Sequence, residues 1–158
     1  MTKTEPKTSA QTARDNPAKY DQGGFHRLLG FDMIEREKGR IVGEIKIDER
    51  HWNRADIVHG GVYATMLDSA CSGAGLYCPH EGRVRQAITL SLTVNYTGKV
   101  KFGTLRVVGR VTNAGYKIYH SAGEIHDDKG QLIAHAVGTF RFLPGSESED
   151  GIEAAVKL

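Results

Sequence analysis

Between Val58 and Gly75 the chain reads VHGGVYATMLDSACSGAG. The spacing predicts a helix over about Gly61 to Tyr77, with Val62, Ala64, Met66, Leu67, Ala70, Cys71, Ala74 and Leu76 going most of the way round it. A helix that is apolar on nearly every side has to be enclosed rather than laid on a surface. The rest of the chain must therefore supply something that wraps. Two features break the apolar run: the turn His59-Gly60-Gly61 that opens it and the lone carboxylate of Asp68 within it. A carboxylate among hydrocarbon is costly unless it is paired or put to use.

The wrapping material reads as β. DMIEREKG and RIVGEIKID form two short strands around a Lys38-Gly39 turn, and AITLSLTVNY alternates Ile88, Leu90, Leu92, Val94 and Tyr96 against Thr89, Ser91, Thr93 and Asn95. TLRVVGRVTNAG, YKIYHSAGEIHDDKG and QLIAHAVGTFRFL follow as a meander with turns at Asn113-Ala114-Gly115 and Asp128-Lys129-Gly130. Gly43, Gly109, Gly123 and Gly138 fall inside strands, where glycine often marks a bend or bulge. GGFHRLLGF reads as a short helix with Phe25, Leu28 and Leu29 on one face. The economical solution is α+β: a curved antiparallel sheet around one long buried helix, a single domain over residues 23–143. Residues 1–22 read as a flexible arm, and residues 144–158 as a loosely held acidic tail.

Charge is uneven. From Glu81 to Lys117, seven basic residues (Arg83, Arg85, Lys99, Lys101, Arg106, Arg110, Lys117) face one acid, which suits either an anionic partner or a solvated sheet face. No nucleic-acid-binding motif accompanies them. No apolar run is long enough to span a bilayer, and the polar stretch MTKTEPKTSAQTARDNPAKY lacks the apolar centre of a signal peptide, so the expected location is cytoplasmic. Cys71 and Cys78 have no second ligand pair, which points to packing rather than zinc.

His59, Gly60 and Gly61 at a helix start, Asp68 nine residues after the histidine, and an alternating strand beyond together resemble a known pattern. It is that of the hotdog-fold acyl-CoA thioesterases, of the phenylacetate-degradation and 4-hydroxybenzoyl-CoA thioesterase type, and it covers roughly residues 24–143. The resemblance implies hydrolysis of an aryl- or medium-chain acyl-CoA to acid and CoA, in a homodimer or homotetramer with sites at the dimer interface. It implies no metal and no cofactor beyond the CoA of the substrate. Asp68 takes the family's position for nucleophile or general base, and the Gly60 N–H that for polarising the thioester carbonyl. Asn53, six residues before His59, matches an asparagine that binds the carbonyl or the water. His59 matches the motif histidine, which orients neighbours or lies near the sulfur, and Thr89, read on the non-apolar face of its strand, a hydroxyl that holds the attacking water. Gly61, Arg83, Arg85, Lys99 and Lys101 are the candidates for holding substrate and CoA phosphates, and Trp52 and Tyr63 either pack or line the acyl pocket. The alternative is a non-catalytic acyl-CoA-binding hotdog protein, for which Asp68 has no evident use.

Gly60 and Asp68 are eight residues apart. Along a helix that is about 12 Å, too far for one reacting carbon to touch both. If both serve one reaction, they come from different chains.

Overall fold

A computed structural model describes residues 23–154. The arm expected over residues 1–22 and the last four tail residues lie outside that range. The elements run α1 (Gly24–Leu29), β1 (Phe31–Glu37), β2 (Arg40–Ile47), a 3-10 turn (Glu49–His51), α2 (Gly60–Ala74), β3 (Arg83–Val84), β4 (Ala87–Tyr96), β5 (Gly103–Ala114), β6 (Ile118–His126), β7 (Leu132–Phe142) and β8 (Ile152–Glu153). Six strands form one antiparallel sheet in the order β1-β2-β5-β6-β7-β4, while β3 and β8 pair separately. The sheet curls around α2, which lies chiefly over β5 and β6 and also touches β2, β7 and β4.

The apolar sequence of α2 is met from the sheet side by Ile41, Ile45, Leu105, Val107, Ile125, Ala134 and Ala136, all buried with Met66, Leu67 and Ala70. A second cluster under the end of the helix joins Cys71 to Tyr119, Phe140 and Phe142. Helix α2 stops at Ala74, short of the expected Tyr77. Tyr119 packs on this end: its hydroxyl donates to the Ser72 carbonyl at 2.8 Å, and its ring would stand 2.2 Å from a Cβ at position 75, which only glycine avoids.

Register shifts fall between Met33 and Glu35, Thr89 and Ser91, Val111 and Asn113, and Ile125 and His126; Gly43 borders the first as the partner of Met33, while Gly109, Gly123 and Gly138 border none. Gly109 and Gly123 are direct cross-strand partners under α2. A Cβ on Gly109 would stand 2.1 Å from the Ala70 carbonyl oxygen, and one on Gly123 2.8 Å from Cys71 Sγ. They are a flat seat that lets the helix backbone approach the sheet. Gly43 and Gly138 make room for the rings of Phe31 and Phe140.

Two further expectations change. In α1, Phe25 and Leu28 are 59% and 68% exposed, and the helix instead turns His26 toward α2, where its Nε2 lies 2.7 Å from Ser69 Oγ. The tail after Pro144 is pinned rather than loose, at least through Ala154. Arg83 donates to the carbonyls of Asp150 (2.6 Å) and Gly151 (2.7 Å). Arg85 donates to those of Ser146 (2.9 Å), Glu147 (2.9 Å) and Gly75 (3.2 Å), with its guanidinium carbon 4.2 Å above the Phe142 ring. Ser146 is fully buried and its hydroxyl accepts from the Gln86 N–H at 3.0 Å.

Candidate active site

The start of α2 is built by the loop before it. His51 is buried, with Nδ1 accepting from the Asp48 N–H at 3.0 Å and Nε2 2.7 Å from the Leu29 carbonyl oxygen. Its own carbonyl accepts from the His59 N–H at 2.8 Å, so the loop closes on a fixed base. Between these, Asn53 folds an Asx turn: its Oδ1 accepts from the Ala55 N–H at 2.8 Å. With the oxygen engaged, the Asn53 Nδ2 is the end left to donate outward.

His59 is the N-cap of α2, its Nδ1 accepting from the Gly61 N–H at 2.8 Å. That bond requires Nδ1 to be the unprotonated nitrogen, so in neutral His59 the proton sits on Nε2, which faces out as a donor. It also takes Gly61 out of the substrate's reach: its N–H is spent on the cap, which corrects its expected role in binding. The Val62 N–H is likewise used, on the His59 carbonyl at 2.9 Å. The Gly60 N–H has no protein acceptor among the described residues. It is the one first-turn donor left open at the positive end of the helix dipole. Tyr96, a residue the sequence pattern gave no reason to single out, flanks it. Its ring would lie 3.3 Å from a Cβ at Gly60, and its hydroxyl reaches the Gly60 carbonyl at 3.4 Å.

Asp68 sits half-buried on the same helix and accepts from Thr89 Oγ1 at 2.8 Å. Regular alternation would have turned Thr89 away from α2. Leu90 is bulged out between Thr89, opposite Phe140, and Ser91, opposite Thr139. The extra residue brings Thr89 onto the same face as Leu92, Val94 and Tyr96, whose partners Gly138, Ala136 and Ala134 are all buried. The reading of Thr89 on the non-apolar face is therefore corrected by a bulge that re-aims one side chain. Behind Asp68, burial and then the Asp68 charge push the Cys71 thiol up to about 12, so it stays protonated and packs rather than reacts.

Not every expected residue joins this group. Arg83 and Arg85 donate to the tail and, from Arg85, to Gly75, at the opposite end of α2 from Gly60. Tyr63 is buried in the core. Lys99 and Lys101 are exposed on the segment after β4. A cleft of about 710 Å³ opens beside the helix start, lined by Trp52, Asn53, Arg54, Ala55 and His59. Among the described residues no group of three or more His, Cys, Asp or Glu side chains could hold a metal, and no helix is long and apolar enough to cross a membrane.

A curved antiparallel sheet wrapped around one buried helix is the hotdog arrangement. The chain belongs to the thioesterase superfamily, whose family model matches residues 55–134. It is 29% identical over 113 residues to human acyl-coenzyme A thioesterase 13, covering 70% of this chain and 79% of the relative. A medium/long-chain acyl-CoA thioesterase of Salmonella typhimurium is 27% identical over 135 residues, covering 73% and 83%. Among solved structures, the PaaI protein of the E. coli phenylacetic acid degradation operon superposes with a TM-score of 0.72 at 22% identity, over 88% of this chain and 99% of that one. The fold is the hotdog fold, and the chain is a thioester hydrolase by family.

Proposed function

We propose that the protein hydrolyses an aryl- or medium-chain acyl-CoA to the free acid and CoA, in a site shared between two copies of the chain. Asp68 attacks the thioester carbon or takes a proton from the attacking water, and the Gly60 N–H of the other copy holds the carbonyl oxygen as it gains charge. The C–S bond breaks, the sulfur leaves as the CoA thiol after protonation, and water supplies the new carboxyl oxygen. Thr89, whose hydroxyl donates a hydrogen bond to Asp68, keeps its lone pairs to accept a hydrogen bond from that water. Asn53 Nδ2 and His59 Nε2–H supply donors at the carbonyl and sulfur end. No cofactor enters this chemistry, since CoA is part of the substrate.

The observation that carries this reading is the Thr89–Asp68 hydrogen bond, which only a bulge in β4 makes available. It gives a solvent-reaching carboxylate a fixed orientation in a helix otherwise built for the core. The relatives named as acyl-CoA thioesterases support the substrate class. The test is a panel of aryl- and medium-chain acyl-CoA esters assayed for free-thiol release, with Asp68→Asn beside the wild type. Asp68→Asn should lower kcat by about a hundredfold or more, the usual weight of a positioned acid-base group. Full activity in Asp68→Asn would remove Asp68 from the site, and a wild type that releases no thiol from any ester would reject the reading.

A further inference from the structure

The cleft beside His59 is larger than carbonyl chemistry needs, and its walls have a composition of their own. Trp52 is fixed by its Nε1–H donating to the Lys101 carbonyl at 2.7 Å and by edge-to-face contact with Phe102, ring centroids 4.9 Å apart. Phe102 is nevertheless 61% exposed. Large rings held rigidly yet left open present a ready surface for an apolar or flat group. The Lys101 ammonium rests 4.8 Å over the Trp52 ring and 5.8 Å from that of Phe102, so aromatic faces hold this charge. Arg54 is exposed and lines the cleft. Among the described residues neither Lys101 nor Arg54 is engaged by a carboxylate, and Asp56 is the one acid in the Trp52–His59 loop. Other arginines are occupied: Arg40 and Arg106 bind Glu35, Arg50 binds Asp48, and Arg83 and Arg85 bind the tail.

Arg54 in the cleft lining and Lys101 over the outer face of Trp52, neither engaged by a carboxylate among the described residues, fit a ligand with an apolar arm and a polyanionic head. We propose that this cleft seats the handle of a CoA thioester, with the pantetheine arm along Trp52 and Phe102 and the phosphates held by Arg54 and Lys101. This rests on the reading of the substrate as a CoA ester. It moves phosphate binding from Arg83 and Arg85 to the opposite end of α2. Arg54 offers a planar fork to phosphate oxygens and Lys101 a point charge. The order along the cleft is then thioester at Gly60 and His59, arm at Trp52, phosphates at Arg54 and Lys101.

Trp52 is the only tryptophan in the chain, so intrinsic fluorescence reports on this wall alone. The full-length protein is titrated with CoA and, separately, with pantetheine, which has the arm without phosphates. CoA should change Trp52 emission saturably. The Arg54→Ala/Lys101→Ala double variant should weaken CoA by about tenfold or more while moving pantetheine by less than about twofold. High salt should weaken CoA in the wild type and far less in the double variant. A Trp52 signal that does not respond to CoA, equal CoA affinity in both proteins, or equal loss for CoA and pantetheine would each overturn the assignment. Thiol release measured in parallel separates the two claims. A chain that hydrolyses acyl-CoA while Trp52 stays silent keeps the hydrolase reading and loses this subsite. A chain that binds CoA through Arg54 and Lys101 but releases no thiol keeps the subsite and loses the proposed reaction.

Discussion

At the scale of the residue, the hydrogen bonds around the α2 N-terminus divide its N–H groups by task. His59 takes the Gly61 donor, the helix takes that of Val62, and Gly60 is left with one that nothing in the described chain uses. A capping histidine here is more than a stop signal, because it fixes its own tautomer and thereby which ring nitrogen can donate. Asp68 depends on a similar arrangement with Thr89. Replacing Thr89 by Val keeps the shape and removes the hydroxyl, so kcat should fall by about tenfold with the unfolding midpoint little changed, whereas Thr89→Ser should keep most of the activity. Steady-state kinetics beside urea unfolding checks this, and an unaltered kcat in Thr89→Val would show that the bond is only packing. The identity of Asp68 was legible in the sequence, since a lone charge in an apolar helix is conspicuous. The face on which Thr89 lies was not. Alternation assumes an uninterrupted strand, and one extra residue at Leu90 inverts everything before it.

At the scale of the element, the fit of helix to sheet rests on absent side chains. Gly109 and Gly123 let the α2 backbone come within contact of the sheet, a demand of tertiary packing that strand propensity cannot express. Gly109→Ala should destabilise the fold by about 3 kcal/mol, since a methyl group 2.1 Å from the Ala70 carbonyl forces backbone to move. Gly115→Ala, where the nearest atom is at an ordinary 3.4 Å, should cost under about 1 kcal/mol. Chemical denaturation of both variants distinguishes a seat from a flexible joint. The order and type of the main elements were readable from periodicity, including the six strands of the sheet. The tail was not, because its acidic composition suggested solvation while its attachment runs through backbone carbonyls, which composition does not show. The attachment of Arg83 and Arg85 to the tail was hidden for the same reason: a cation's partner can be any carbonyl.

At the scale of the whole molecule, the two edges of the sheet differ. β1 carries Asp32, Glu35, Arg36 and Glu37, charges of the kind that discourage strand addition. β4, at the other edge, is ten residues long without a single charge, and its Ile88 and Leu90 are 47% and 49% exposed. An uncharged edge of that length is open to strand addition, and the shared site proposed above needs a second copy whose α2 lies alongside. Mixing tests it. Asp68→Ala and Asn53→Ala chains, each inactive alone, should recover about a quarter of wild-type activity after subunit exchange, because half the dimers are mixed and each rebuilds one intact site. No recovery despite exchange verified by mass, with one variant isotope-labelled, would argue for a site within one chain. If the sites are shared, the eight-residue separation of Gly60 and Asp68 on one rigid helix makes turnover depend on how much protein is present. Dilution below the dissociation constant of the pair leaves folded chains with two unmatched half-sites each, and activity per milligram falls without any chain unfolding.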